Sequence, residues 1–505
     1  LLKKNVFKPG QAKSLGIKLM LIVVFLGLSE LGLGIFLRRL GIMPYKCGLI
    51  TGLCVLIYLV SLILFRKQTR SIERKVNLGV LLSQLGVPLL FAVLFTPPAK
   101  LLEGETVILP YKPFLLVFIL GLILVSLFDI FRRFVRENKS DNNGAIKMIS
   151  PWGLFAILVF LQSTTVYWPG ILADEYHSGE FYLPWWSFFQ NGYLPYLDYE
   201  PARGLVNYVP GFLSWLFYDN SFGAQSLVTN QFSAIYIFIA FFAFRSIVGD
   251  FIAFLMVGSI FMFSGLPVGG IVLALAALAI FYKSVSTRTP VQALWIWLGL
   301  SIGVSFFQVT EGPIFVVGTL PMVLWLLVQA FHRSKKNLWI SLGILTIAGI
   351  FLFLNKTTNG LILSTIRYVL DQSAVNDVAN GIVWQLPEGM SARVTSGYFW
   401  QLIRFSWLFL LIPTVVLLIR NHFDDRSKEN QFLLIALFIM CLIMIPRAAG
   451  RIDPVDFSRI GFASIGFVIC GLPLVILPNI HQKRVREILP LCLALTFGLI
   501  GNQEV

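Results

Sequence analysis

Long apolar runs, repeated from one end of the chain to the other, constrain this sequence more than any other feature. A helix of about 20 apolar residues crosses a bilayer, with 17–25 the usual range. On that scale the runs fall near 15–36, 47–65, 77–95, 113–131 and 151–168, then 228–247, 251–264, 266–282, 291–309, 313–331 and 338–354. A last group covers 399–420, 431–446, 457–479 and 487–501. The pair 251–264 and 266–282 is short and is split by Ser264, Gly265 and Pro267, as a broken or re-entrant helix would be. The expected fold is therefore an all-α polytopic membrane protein of about 13–15 spans. Composition agrees: 57% of the residues are hydrophobic and 13% charged, about half the charge of an average soluble domain.

The net charge of +15 does not point to nucleic acid, because Lys and Arg sit in short clusters between apolar runs. That is the pattern of cytoplasmic loops. Lys3, Lys4, Lys8 and Lys13 precede the first run, Arg66–Lys75 follow the second, and Arg132–Lys147 follow the fourth. All three clusters lie on one side, which the charge bias makes cytoplasmic. Arg38 and Arg39 depart from it, and snorkelling from a helix end accounts for them. Residues 205–218 are too short to span and contain Pro210 and Gly211. Counting them as a span would put Lys283/Arg288, His332–Lys336 and Lys483–Arg486 outside. They are read as a helix lying along the outer surface.

Three regions then face outward: 169–227, 355–398 and 447–456, joined by the turn Gln308–Gly312. No GxxxxGK[ST] motif is present for nucleotide binding. The cysteines Cys47, Cys54, Cys441, Cys470 and Cys492 lie in or beside apolar runs without ligand spacing and read as packing residues. The first run is long enough to stay in the membrane as an anchor. The chain begins at Leu1 and stops at Val505 after a short apolar run, as a piece of a longer protein would.

Within 173–204, a chain with 25 acidic residues places five: Asp174, Glu175, Glu180, Asp198 and Glu200. His177 and Arg203 join them among aromatic side chains. Ionisable groups at a bilayer edge are costly unless paired or used. Asp174 and Glu175 follow Trp168 at the depth where a carboxylate meets both a lipid-linked group and an aqueous hydroxyl, the position of a general base. If the segment is helical, Asp174, His177 and Ser178 share one face and Tyr176 pairs with Glu180. The plainer reading is an acidic outer loop without a function.

His177 with carboxylates suits Zn²⁺ or Mn²⁺. With one histidine and no ligand spacing, a hydrogen bond to substrate or to Asp174 is the simpler role. Trp185, Trp186, Phe188, Phe189, Tyr193 and Tyr196 read first as an interfacial aromatic belt and second as a face for stacking sugar rings. Arg447, Arg451 and Arg459 stand where the charge bias disfavours them and suit phosphate oxygens. Asp453 and Asp456 would otherwise pair with them as plain salt bridges. Arg367, Arg393 and Arg404 are weaker phosphate candidates. Glu311, alone between two apolar runs, is expected to cap the helix that follows it.

The order ADE, HSGE and NGYLPYLDYEPARG, directly after an apolar helix, resembles the first extracytoplasmic loop of GT-C glycosyltransferases. Gly192, Pro195, Tyr196 and Asp198 form a segment similar to one in many bacterial members. GRIDPVDFSR resembles a GRxDxxH-type segment, with Asp456 in place of the histidine. The resemblance spans about 151–480. It implies a GT-C-like helix bundle using polyprenyl-phosphate-linked sugars and a glycan, lipid or protein acceptor; the expected location is the plasma membrane of a bacterium. It also implies a catalytic acid at Asp174, with Glu175 beside it. His177, Glu180, Tyr196, Asp198, Arg203, Arg447, Arg451 and Asp453 are the candidate substrate-binding residues. A divalent cation (Mn²⁺, Mg²⁺ or Zn²⁺) is the one cofactor class the loop would suit. Residues 1–148 then form an accessory region, 149–480 the core, and 481–505 a basic loop with a last helix. The competing readings are a polyprenyl-linked glycan polymerase or ligase, and a proton-coupled transporter or flippase. A transporter should carry midspan acids and internal repeats, whereas Glu30, Asp129 and Asp250 sit near expected helix ends.

Overall fold

A computed structural model describes residues 9–39, 72–95, 99–100, 106–107, 111–137, 149–165, 175–199, 201, 203–264, 272–355, 359–360, 363 and 428–449. The described chain is helical apart from one antiparallel pair of two-residue strands, β1 (Ala99–Lys100) and β2 (Thr106–Val107). Among the described residues, seven helical segments are long and apolar enough to cross a membrane: Gly16–Arg39, Val76–Leu94, Pro113–Val135, Asn230–Ile247, Pro290–Phe307, Glu311–Arg333 and Lys335–Leu354. Each overlaps an apolar run read from the sequence. The runs at 47–65, 399–420, 457–479 and 487–501 lie outside the described residues, as do Asp174, Arg451 and Asp453.

The chain divides into two compact units. The first comprises Leu1–Tyr167 with Leu213–Ala234. Here α1 (Pro9–Arg39) packs on α2 (Ile72–Ser83) and on a 3-10 helix, Val87–Leu94. The run at 77–95 is thus not one regular α-helix as expected. It turns at 84–86, and Pro88, which has no N–H to donate, enters the tighter 3-10 helix at its start. α1 can approach this turn because Gly32 has no Cβ. One placed there would lie 2.9 Å from the Gly86 carbonyl.

α3 (Pro113–Glu137) shows what solvent these helices fit. Leu115, Ile119, Ile123 and Ile130 are buried, while Phe114, Val117, Leu124, Phe128 and Phe131 on the opposite face are 61–67% exposed. Both faces are apolar, which is stable where the second face meets hydrocarbon. At its end, Asp129 takes hydrogen bonds from Arg133 Nε (2.9 Å) and Ser150 Oγ (2.8 Å). Ser150 in turn donates its backbone N–H to Gln84 Oε1 and sits at the start of α4 (Pro151–Thr165).

The second unit comprises Trp168–Phe212 with Ile235–Val505. It contains α5 (Glu175–Asn191), a 3-10 turn (Leu205–Tyr208) and the start of α6 (Val209–Phe217). α7 (Phe222–Leu227) and the first residues of α8 (Thr229–Val248) belong to the first unit; the rest of α8, α9 (Asp250–Ser264) and α10 (Val272–Thr287) belong to the second. α11 (Pro290–Phe307), α12 (Glu311–Arg333), α13 (Lys335–Leu354) and α14 (Lys428–Ala449) follow. Thr289 and Gln292 form a reciprocal cap, with Pro290 at the first helical position, and so fix where α11 begins. α12 packs against α11 and α14, and Trp325 stacks on Phe432 with ring centroids 5.2 Å apart. Segment 205–218, too short to span, is one 3-10 turn and nine α-helical residues, as its Pro and Gly suggest. Its Val206, Asn207 and Leu213 are buried, while Phe212 and Trp215 are 44% and 40% exposed.

Candidate functional site

Helix α5 opens the acidic region. It starts at Glu175, directly after Asp174, and carries His177 and Glu180 in its first two turns. The expected helical continuation is therefore present from 175 onward.

Beyond α5, the residues singled out in NGYLPYLD build a compact turn. Gly192 and Tyr196 both have left-handed backbones, at φ 71° and 64°. Glycine takes that conformation freely, whereas tyrosine needs support from its surroundings. The support is specific. Tyr196 donates its backbone N–H to the Tyr199 carbonyl (2.7 Å) and its hydroxyl to the Phe306 carbonyl (2.8 Å). Its ring lies edge-on to Phe306 and is buried with Val309. Asp198 closes the turn by accepting the Leu194 N–H at 2.7 Å. Tyr196 and Asp198, both candidate substrate contacts, thus shape the loop through these bonds.

Arg203 is half-buried, and its backbone carbonyl accepts the Val309 N–H at 3.1 Å. Gly204 follows with φ 99°. A Cβ there would lie 2.9 Å from the carbonyls of both Phe306 and Phe307. Two outward-facing regions of the sequence reading, 173–204 and 308–312, therefore meet in the folded unit.

The turn 308–312 is itself held from several helices. Gln308 Oε1 accepts the Tyr236 hydroxyl of α8 at 3.1 Å. Glu311, 1% exposed, accepts the backbone N–H of Ala274 through Oε2 at 2.8 Å. Glu311 stands in the first turn of α12 as expected, and its carboxylate also serves the first turn of α10, where an N–H has no partner within its own helix. Sequence reasoning marked QVTEG as outward-facing but gave no sign of Tyr236 or Ala274. Those partners are 72 and 37 residues away from the residues they meet.

On the α5 side, Trp185 stacks near Phe189 and meets Phe212 edge-on, and Phe188 meets Tyr208. Gly211 passes so close to Trp185 that a side chain there would run into the indole. The Tyr199 hydroxyl donates to the Pro184 carbonyl (2.7 Å) and pairs with the Tyr208 hydroxyl. Burial pushes the Tyr199 phenol above its ordinary value. These rings form a packed cluster, with Phe188, Phe189 and Tyr193 left exposed at its margin.

Arg447 lies near the end of α14. Among the described residues, no three His, Cys, Asp or Glu side chains gather as a metal site requires. No family model matches the chain, and neither a curated protein nor a solved structure does. The functional reading rests on the residues themselves.

Proposed function

We propose that this chain is an integral-membrane glycosyltransferase that moves a sugar from a polyprenyl-phosphate donor to an acceptor hydroxyl on the extracytoplasmic side. One observation carries the reading. Helix 175–191 begins at Glu175, and the Gly192–Asp198 segment that resembles GT-C enzymes is a turn seated on 306–312. A loop without a function has no need of a buried tyrosine at positive φ to fix its path.

In the proposed reaction Asp174 accepts the proton of the acceptor hydroxyl. The hydroxyl oxygen bonds to the anomeric carbon, and the bond from that carbon to phosphate breaks. The lipid phosphate leaves with the electron pair. A single displacement inverts the anomeric centre. Arg203, Arg447 and Arg451 offset charge on the leaving phosphate, where preorganised cations contribute most. In this reading Glu175, His177 and Glu180 hold sugar or acceptor hydroxyls, and Asp453 orients the neighbouring arginines.

The deciding experiment compares membranes carrying the wild type and Asp174→Asn with a panel of radiolabelled polyprenyl-phosphate sugars. Transfer by the wild type should fall by about 10²–10⁴-fold in the variant at equal expression. Transfer undiminished in the variant would remove Asp174 from the role of base. No transfer by the wild type from any donor would favour a transport function.

A further inference from the structure

The buried acid Glu311 has no place in the reaction just described, yet it stands directly behind the loop that carries Arg203. The connections are short. Ala274 N–H bonds to Glu311 Oε2 at 2.8 Å, and Glu311 and Gly312 return their backbone N–H groups to the Gln308 carbonyl at 3.0 and 3.2 Å. Gln308 takes the Tyr236 hydroxyl. The turn so fixed holds the loop at three points: the Tyr196 hydroxyl on Phe306, Arg203 on Val309, and Gly204 against the carbonyls that end α11.

We propose that Glu311 is a positioning residue, a carboxylate clasp between the N-terminal turns of α10 and α12 that sets the 306–312 turn and, through it, the place of Arg203. The inference deepens the glycosyltransferase reading and rests on it for its kinetic consequence. A carboxylate bonded to a backbone N–H in a water-poor site has no solvent to replace that bond when the acid is removed. The turn would then lose the bond that ties it to the start of α10. Arg203 would sample more positions, weakening the grip on donor phosphate while the acid–base chemistry at Asp174 proceeds as before. A rise in donor KM with nearly unchanged kcat is the signature of lost uniform binding.

The test uses the full chain in nanodiscs and two readouts. Hydrogen exchange of the peptide covering 193–208 should quicken about 10-fold in Glu311→Ala, with exchange in α5 and α11 unchanged. Glu311→Gln, whose amide oxygen still accepts the Ala274 N–H, should restore most of the protection. Tyr236→Phe, which removes the hydroxyl that Gln308 accepts, should show the same pattern at smaller size and serves if Glu311→Ala fails to fold. In parallel, donor KM should rise about 10-fold in Glu311→Ala with kcat within about 3-fold, and Glu311→Gln should recover it. The Glu311→Ala/Arg203→Ala double variant should bind donor no worse than Arg203→Ala alone. Unchanged exchange at 193–208, or equal loss of protection across α5 and α11, overturns the clasp. Faster exchange with unaltered KM overturns the link to Arg203. Absence of transfer in the wild type counts against the enzymatic reading, while the exchange arm still decides the clasp.

Discussion

Among the described residues, each of the two compact units buries an acid, and the two are held in opposite ways. In the first unit Asp129 pairs with Arg133 one helical turn along and with the Ser150 hydroxyl, and the Arg133 side chain stays 20% exposed. In the second, Glu311 is 1% exposed and takes a backbone N–H from the start of another helix. The first arrangement is a local ion pair with water at its edge, the second a long-range bond from a helix end. An ion pair near solvent contributes little net stability, because both partners regain water when it breaks. A buried carboxylate–amide bond lacks that fallback. The acid bonded to a distant backbone N–H is thus the more structural of the two.

The largest effect that could break this contrast is the stability cost of removing each acid. Glu311→Ala should lower unfolding free energy by about 2–3 kcal/mol, the range for hydrogen bonds to charged groups that leave a buried donor behind. Asp129→Ala should cost about 1 kcal/mol, since Arg133 can turn to solvent while Ser150 keeps its role at the start of α4. Thermal unfolding of the two variants in nanodiscs reads the difference directly. Raising ionic strength should shrink the Asp129 effect and leave that of Glu311 alone, because exposed pairs are screened and buried ones are not. Equal costs, or a larger one at Asp129, would reverse the ranking.

How much of this the sequence revealed depends on distance along the chain. The apolar runs at 113–131 and 313–331 reappear as helices because a span is a local property. Gly192, Pro195, Tyr196 and Asp198 stood out together, and their spacing is that of a closed turn, with Asp198 reaching back four residues to Leu194. Glu311 was legible as an acid at a helix start. That its partner is the helix beginning at Val272 was not, since no periodicity relates positions 37 residues apart. The break in the 77–95 run was missed for a different reason. Hydropathy measures length and apolarity, and a 3-10 helix led by Pro88 satisfies both.

A smaller effect sharpens the picture of the second unit. Its loop is seated at one end on 306–312 and at the other on α5, where Gly211 meets Trp185. Gly211→Ala must push the indole aside, and overpacking of this kind costs about 1–3 kcal/mol. The near-stacked Trp185–Phe189 pair should be disturbed, which a shift in tryptophan emission would register. If the two ends are independent, Gly211→Ala will leave hydrogen exchange at 306–312 as in the wild type. Faster exchange there would mean that the aromatic cluster, and not Glu311 alone, sets the turn.

The smallest effect concerns pH and isolates the neutral hydrogen bonds from the charged one. Burial raises the Tyr199 phenol above its ordinary value near 10. The sign follows from linkage: a group whose folded pKa is raised contributes stability that is whole below the unfolded pKa and is lost as pH climbs through the folded one. Below about pH 10, Tyr199→Phe should cost about 1 kcal/mol at every pH, through the bonds to the Pro184 carbonyl and the Tyr208 hydroxyl. Above pH 10 the wild type should lose stability that the variant does not, so the two unfolding curves should converge. Curves that stay parallel into strong alkali would show that the phenol ionises as easily when folded as when unfolded. The tyrosine pair would then be an exposed contact, and the loop's path would depend on Tyr196, Gly204 and the turn behind them.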